Sequence, residues 1–196
     1  RMERKIKIGL FSGSFNPIHT GHLIIANYMC QFEDLDEVWF IVSPQNPIKD
    51  KSSLLCDEHR VAMTELAIIG HSYFKHCDIE LTMPRPSYTI HTLDALRAQY
   101  PENNFYLIIG ADNWLKFDLW KDAKRILNEY NLIIYPRQGY PIEKNNTTKK
   151  NITFSKAPII EISSTFIRDG LKHGKNMNYF IPANVYNYII KNKLYL

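Results

Sequence analysis

The sequence predicts an α/β fold, with a doubly wound and mostly parallel sheet that carries helices on both faces. Two observations support this prediction. Short apolar segments rich in β-branched residues alternate with longer segments whose apolar residues recur at helical spacing. The first strand, loop, helix and second strand also follow one another within about forty residues, which is the size of a βαβ unit. Ligands of such sheets bind beyond the carboxyl ends of the strands.

The predicted elements follow in order along the chain. Alternation predicts a strand at 5–11, and apolar residues three and four apart predict a helix at 21–32. An apolar run predicts a strand at 37–42, and two acidic residues open a helix at 57–69. A strand at 74–81 precedes a helix that Ser87-Tyr88-Thr89 can cap and that runs to residue 100. Next come a strand at 105–109 and a helix at 112–129, which can break near 117–120.

The last third of the chain continues the same pattern. Strands are predicted at 132–135 and 158–162, and closing helices at 164–173 and 182–192. The polar stretch 144–151 predicts a loop and not a domain boundary. The whole chain, residues 1–196, is therefore predicted to be one Rossmann-like domain in which residues 163–196 form a closing helical segment.

Composition excludes several classes of protein. Hydrophobic residues make up 45% of the chain and charged residues 22%, as in folded globular proteins and unlike disordered ones. No apolar run is long enough for a membrane span. Cys30, Cys56 and Cys77 are odd in number and widely spaced, which favours a reducing compartment, and we expect a cytoplasmic location. The net charge of +4 is too small to indicate a nucleic-acid partner.

The loop after the first strand carries the strongest functional signal. It reads Gly13-Ser14-Phe15-Asn16-Pro17-Ile18-His19-Thr20-Gly21-His22. Gly13 allows a sharp turn out of the strand, and Gly21 allows the backbone to approach a ligand. A helix amino terminus offers free N–H groups and partial positive charge, and the imidazoles of His19 and His22 add two donors. The segment therefore predicts a phosphate site. A zinc site would need a third ligand at the usual spacing, and none follows, so no metal site is predicted.

A second segment has the same physical character. Residues 162–168 read Ile-Ser-Ser-Thr-Phe-Ile-Arg, where a strand can end and a Ser can cap a helix. The first amides of that helix are free for an anion, and Arg168 can add a bidentate donor.

These two segments resemble the (H/T)xGH and ISSTxIR signatures of the nucleotidyltransferase superfamily. The Phe-Asn-Pro before His-Thr-Gly-His is similar to that of the nicotinate-nucleotide adenylyltransferases, with Ser14 and Asn16 in place of the usual Gly and Asp. The resemblance implies that His19, His22 and Arg168 are catalytic. It also implies that ATP is bound by Gly13, Ser14, Phe15, His19, Gly21, His22, Gly110, Asp112, Ser163, Ser164, Thr165 and Arg168, of which Asp112 belongs to a GxD segment that contacts a ribose.

Other segments resemble the same family's pyridine-nucleotide site. Ser87-Tyr88-Thr89 is similar to its Ser-Tyr-Thr segment, and Trp120 to a tryptophan that stacks on the pyridine ring. The residues implied for the second substrate are Asn16, Lys49, Ser87, Tyr88, Thr89, Trp120 and Arg137. Lys49 can equally be a solvated loop residue, and Arg60 is expected to be structural.

The resemblance implies transfer of AMP from ATP to nicotinate mononucleotide, giving deamido-NAD and pyrophosphate. Mg²⁺ is expected to arrive with ATP, bound through phosphate oxygens and waters. Two alternatives stay open: another transferase of the superfamily, such as one acting on phosphopantetheine, and a nucleotide-binding regulator without turnover. The sequence leaves open the choice between the acid and amide mononucleotides and the oligomeric state, a homo-oligomer included. No membrane partner is expected.

Overall fold

A computed structural model describes residues 3–45, 53–143 and 149–196, and it confirms the predicted fold class. Six parallel strands form one sheet in the order β3-β2-β1-β4-β5-β6. The direction in which the chain adds strands to the sheet reverses between β1 and β4, which are neighbours in space but belong to the two halves of the sequence. A doubly wound sheet has its ligand crevice at such a switch point.

The bounds of the elements are close to those predicted for most of the chain. The strands are β1 (Ile6–Gly13), β2 (Glu37–Val42), β3 (Phe74–Cys77), β4 (Asn103–Gly110), β5 (Asn131–Tyr135) and β6 (Ile152–Phe154). The helices are α1 (Thr20–Phe32), α2 (Asp57–Ile68), α3 (Thr89–Gln99), α4 (Ala111–Trp114), α5 (Ala123–Glu129), α6 (Ser164–Lys172) and α7 (Ala183–Lys191).

Two apolar layers cover the two faces of this sheet. One layer packs helices α1, α2, α6 and α7 against it, around residues such as Phe40, Met29 and Ile167. The other packs α3 and α5 against the opposite face, around Leu10 and Leu107. Because strands β1, β2 and β4 are buried on both faces, their sequences read as near-continuous apolar runs.

The predicted strand at 158–162 is wrong. The sixth strand is Ile152–Phe154, which pairs with β5, and residues 155–163 have no regular structure. The side chain of Asn151 donates to the carbonyls of Leu127 and Tyr130 and so fixes the start of this strand. Pro158 has no N–H to donate to a ladder, and the segment around it instead brings Ile160 to the ligand crevice.

Two other predicted elements are shorter than expected. The strand predicted at 74–81 ends at Cys77 and passes into a 3₁₀ helix, Ile79–Thr82. The helix predicted at 112–129 breaks where the sequence suggested, into α4, a 3₁₀ turn and α5. Asp122 precedes α5 in the left-handed conformation, with φ of 53°. Among the described residues, no helix combines the length and the apolar character that a membrane crossing requires.

Candidate active site

The first feature of the site is a cleft of about 210 Å³ at the carboxyl ends of β1 and β5, which we name the histidine cleft. It is lined by Phe11, His19, Gly21, His22, Ile25, Tyr135, Pro136, Arg137, Ile160, Ile162, Ser163 and Ser164. The two motifs that lie about 140 residues apart in the sequence therefore meet in one cavity, as the (H/T)xGH and ISSTxIR likeness implies.

The two histidines of the cleft form a reciprocal cap on helix α1. The Nδ1 atom of His22 accepts the backbone N–H of His19 at 3.1 Å, and Nδ1 of His19 accepts that of His22 at 3.4 Å. The rings stack with their centroids 3.7 Å apart. Because each Nδ1 accepts a hydrogen bond, the proton of each neutral ring lies on Nε2. Each ring thus keeps one N–H donor that the helix cap does not use.

Burial keeps both rings neutral in the free protein. It lowers the pKa of His19 to about 4, and the positive charge of Arg137 acts in the same direction. Burial, followed by the neighbouring His19 and Arg137, holds the pKa of His22 well below its usual 6.5. Neutral rings at pH 7 supply hydrogen-bond donors without charge repulsion between them.

The second wall of the cleft is the start of helix α6. Ser163 caps this helix by accepting the N–H of Phe166 at 3.1 Å, as the sequence predicted. Ser163 and Ser164 both line the cleft, so the positive end of α6 lies beside the histidine pair. Arg137 also lines the cleft, which therefore gathers neutral donors, a helix terminus and one cation, a combination suited to phosphate groups.

A smaller pocket of about 130 Å³, which we name the tryptophan pocket, adjoins the cleft. It is lined by Phe11, Ser12, Thr89, Leu107, Ile108, Ile109, Gly110, Asn113, Trp120 and Tyr135. Phe11 and Tyr135 line both cavities and therefore separate them. The site thus has two compartments on either side of the switch point, one polar and one with an aromatic wall.

A carboxylate oxygen without a partner lies next to the carboxyl end of β4. Among the described residues, Asp112 Oδ1 and His76 Nε2 are the buried side-chain atoms that form no hydrogen bond. Asp112 follows the end of β4, and its Oδ1 lies 2.6 Å from the position that a Cβ atom on Gly110 would occupy. A buried carboxylate oxygen without a donor is costly, so this atom fits a ligand hydroxyl. A side chain at position 110 would therefore displace the Asp112 carboxylate from this position.

Comparison with known proteins agrees with this geometry. Residues 10–170 match the cytidylyltransferase-like family. A relative from Bacteroides fragilis is 51% identical over 187 residues, which are 95% of this chain and 92% of the relative, and one from Flavobacterium johnsoniae is 44% identical over 97% and 99% of the two chains. Both carry the name probable nicotinate-nucleotide adenylyltransferase. This chain belongs to the nicotinate-nucleotide adenylyltransferase family.

Solved structures of the same family show the same fold. The nicotinic acid mononucleotide adenylyltransferase of Plasmodium falciparum complexed with NaAD superposes with a TM-score of 0.77 at 21% identity, covering 97% of both chains. The same enzyme complexed with APC gives a TM-score of 0.76 at 22% identity, covering 98% of both. At this identity the likeness concerns the fold alone.

Within this adenylyltransferase, five of the residues predicted for ATP line the histidine cleft. They are His19, Gly21, His22, Ser163 and Ser164. Gly110 lies in the tryptophan pocket instead, beside Asp112. Phe15 is buried and packs edge-on against the ring of His22 at 5.0 Å, so it supports a donor and does not itself face the cleft.

Two residues of the second motif hold the loop that precedes α1. Arg168 donates to the carbonyl of Asn16 at 2.9 Å and to Thr165 Oγ1 at 3.3 Å. The hydroxyl of Ser164 also donates to this loop, at the carbonyl of Pro17. Ser14 is exposed, and its carbonyl accepts a hydrogen bond from the guanidinium of Arg60. The second motif therefore binds the first one directly, through its own side chains.

The sequence interpretation of Gly13 needs correction, and Gly21 has a role in packing that the sequence did not indicate. Gly13 has no left-handed conformation, and a Cβ there would lie 3.5 Å from the Phe15 ring, an ordinary contact. Gly21 lines the cleft, and packing gives a further reason for glycine there. A Cβ there would lie 2.8 Å from Cε1 of His19 and 3.0 Å from Ile160, so only glycine lets the His19 ring fold back over the helix.

The residues predicted for the pyridine nucleotide do not all line the same cavity. Thr89 and Trp120 line the tryptophan pocket, and Arg137 lies in the histidine cleft. Tyr88 is exposed and is absent from the lining of both cavities, and the Lys121 ammonium lies 4.6 Å from its ring centre. Lys49 lies outside the described residues.

Two more predicted residues have their polar atoms occupied by protein partners. Ser87 does not cap α3. It donates to Glu80 at 3.3 Å, while Tyr88 precedes the helix without a side-chain cap. Asn16 is 3% exposed, and both of its side-chain polar atoms are hydrogen-bonded within the protein.

Sequence reasoning missed three buried or shared residues. Phe11 and Tyr135 line both compartments, and their positions at the carboxyl ends of β1 and β5 could have indicated this. Glu80 is a buried carboxylate that accepts from Ser87 and Thr92, and burial raises its pKa. No motif marks it, because its burial depends on the 3₁₀ turn that ends β3.

Arg60 is structural, as the sequence suggested. Its side chain is fully buried and donates to the carbonyls of Ser14, Ser43 and Leu55 and to the carboxylate of Asp57. It therefore ties helix α2 to the loop before α1.

The described residues contain no group of three or more His, Cys, Asp or Glu side chains that could hold a metal ion. Enzymes of this family generally use a divalent metal together with ATP. The donors that line the histidine cleft, two imidazoles, two serines and one arginine, fit a metal that is held mainly by phosphate oxygens and water and not by a protein cage.

Proposed function

We propose that this enzyme transfers AMP from the Mg²⁺ complex of ATP to nicotinate mononucleotide, in NAD biosynthesis. The observation that supports this most strongly is the pair of adjoining compartments. The histidine cleft offers donors for a triphosphate, and the tryptophan pocket offers an aromatic face for a planar ring. Phe11 and Tyr135 form the boundary across which the two substrates would meet.

The proposed reaction needs no protein base. A phosphate oxygen of the mononucleotide, already ionised at pH 7, attacks the α-phosphorus of ATP. One P–O bond forms, the bond to the β-phosphate breaks, and pyrophosphate leaves. Catalysis then consists of alignment and stabilisation of the charge that develops on phosphate oxygens.

The Nε2–H groups of His19 and His22 would donate to oxygens of the ATP phosphates, with His22 nearest the α-phosphate. The first amides of α6 and the cation of Arg137 would hold the remaining phosphates. Arg168 would keep the loop before α1 in place and add positive charge from behind it. Since one hydrogen bond to a charged group contributes about 1.5–3 kcal/mol and enzymes lower barriers by about 8–23 kcal/mol, several donors must act together.

The remaining proposed contacts concern the sugar and the ring. Asp112 Oδ1, which has no partner among the described residues, would accept from a hydroxyl of the adenosine ribose. Thr89 and Trp120 would hold the pyridine nucleotide, with the indole stacked on its ring. Mg²⁺ would be bound by substrate oxygens and water, as a part of the substrate.

We propose a cytoplasmic location, where these nucleotides and a reducing environment are found. The three cysteines are free thiols in the structure, in agreement with this.

A single assay tests the proposed function. The protein is incubated with ATP, Mg²⁺ and, separately, nicotinate mononucleotide, nicotinamide mononucleotide or phosphopantetheine, and pyrophosphate release is measured. We expect release with nicotinate mononucleotide. Faster release with phosphopantetheine would replace the proposed substrate, and no release with any acceptor would contradict the proposed transfer.

A further inference from the structure

The side chain of Asn16 is the centre of a buried hydrogen-bond network behind the loop before α1. Its Nδ2 donates to the carbonyl of Ser53 at 2.7 Å, and its Oδ1 accepts the N–H of Leu55 at 3.3 Å. The same Oδ1 accepts the hydroxyl of Tyr195 at 2.6 Å. The Tyr195 bond is the shortest of the three and joins residues 179 positions apart.

Tyr195 is held in position by its own neighbours. The preceding residue, Leu194, is 7% exposed in the apolar core, and its N–H donates to the carbonyl of Ile189 at 3.0 Å. Tyr195 itself has φ of 62°, a left-handed conformation that turns its ring back towards the loop. Burial raises the pKa of its hydroxyl, so the group remains a donor at neutral pH. The segment after α7 is thus fixed before it reaches Asn16.

The loop that Tyr195 supports is strained and leads directly to the histidine pair. Phe15 adopts φ of 45°, a left-handed conformation that costs free energy and persists only when neighbouring contacts hold it. The carbonyl of Asn16 accepts from Arg168, and His19 follows three residues later. A shift of Asn16 would therefore be transmitted to Arg168 and to the His19 ring.

We propose that Tyr195 is a positioning residue for the ATP phosphate site: through Asn16 it fixes the loop from which His19 and His22 project. This proposal rests on the proposed function, since it takes the histidine cleft to be the ATP site. Tyr195 touches neither compartment, because it is absent from the lining of both the histidine cleft and the tryptophan pocket. The effect of Tyr195 is therefore confined to ATP, whose phosphate site depends on the loop before α1.

The test is the single-atom substitution Tyr195→Phe, which removes the hydroxyl and keeps the ring. Affinities of wild type and variant are measured by calorimetry for a non-hydrolysable ATP analogue with Mg²⁺ and, separately, for nicotinate mononucleotide. Tyr28→Phe is the matched control, since Tyr28 is also half-buried and its hydroxyl has no hydrogen-bond partner among the described residues. Thermal unfolding of all three proteins is recorded in parallel.

We expect Tyr195→Phe to weaken the ATP analogue about three- to tenfold, the range for loss of one hydrogen bond, and to leave nicotinate mononucleotide within about twofold of wild type. The control variant should match wild type for both. An unchanged affinity for the ATP analogue, or equal weakening of both ligands, would overturn the proposal.

The same measurements separate this proposal from the proposed function. If wild type binds the ATP analogue but releases no pyrophosphate with any acceptor, the proposed transfer fails while the comparison of affinities still decides the role of Tyr195. If wild type binds no ATP analogue, both are overturned.

Discussion

Substitution of His22 by Asn separates the two functions that the structure gives to this imidazole. Nδ1 of His22 accepts the N–H of His19 and so caps α1, while Nε2 is the donor that we assign to the α-phosphate. The side-chain oxygen of Asn can take the position of Nδ1 and keep the cap, but Asn has no group at the position of Nε2. His22→Ala loses both.

The magnitudes follow from these contacts. Loss of one donor to a transition-state oxyanion costs about 10²–10³ in kcat, or about 2.7–4 kcal/mol. Loss of a helix cap costs about 0.5–2 kcal/mol of unfolding free energy. We therefore expect His22→Asn to lose about 10²–10³ in kcat at nearly unchanged stability. We expect His22→Ala to show the same loss of kcat together with a lower unfolding free energy.

The assay is pyrophosphate release at saturating ATP and nicotinate mononucleotide, with urea unfolding of each variant. Saturation matters because the interaction belongs to the transition state and should appear in kcat more than in KM. Turnover of His22→Asn within about threefold of wild type would refute the donor assignment. A stability of His22→Ala equal to wild type would refute the cap.

Three further predictions concern the other groups of the site. Trp120→Ala should weaken nicotinate mononucleotide about 5- to 100-fold, the range for loss of a stacked aromatic, with little change for ATP; separate calorimetric titrations check this, and equal weakening would refute the stacking. Asp112→Asn should raise the KM for ATP about tenfold or more. The Tm should not change, because Oδ1 has no partner to lose among the described residues. Steady-state kinetics that show the same rise in KM for both substrates would contradict the ribose assignment. The pKa values of His19 and His22 are lowered on folding, so the unfolded chain binds more protons than the folded one between about pH 6.5 and 4. The free energy of unfolding should therefore fall as the pH drops through that window. Urea unfolding that gives equal free energies at pH 7.5 and 5 would falsify this.

The fold class and the two phosphate motifs could be predicted from the amino-acid order alone. Both rest on local physics: the alternation of strand and helix periods, and the glycine, serine and histidine residues at helix starts. Helix starts that follow parallel strands lie at one edge of the sheet, but the strand before α6 is the edge strand β6, and it is the irregular segment 155–163 that brings Ser163 next to His19. In the folded protein they line the same histidine cleft.

Tertiary packing determines which side chains face the cavities and which hold them in place. Ser87, Asn16 and Arg168 belong to the motifs, yet in the structure their side chains bond to Glu80, to the 53–55 loop and to the loop before α1. Local patterns do not contain this information, since for Asn16 and Arg168 it depends on partners dozens of residues away. The last strand shows the same limit, because Pro158 cannot donate to a ladder and β5 pairs with Ile152–Phe154 instead.

The placement of Tyr195 is the clearest case of a contact that no local pattern predicts. Nothing in the neighbouring sequence marks it, and its hydroxyl reaches Asn16 only because α7 and Leu194 bring the chain back to the first loop. The order of residues specifies side-chain chemistry and backbone preference over a few positions. Which buried donor meets which acceptor is decided when the two apolar layers pack against the sheet, because only then do residues far apart in the chain share one dry interior.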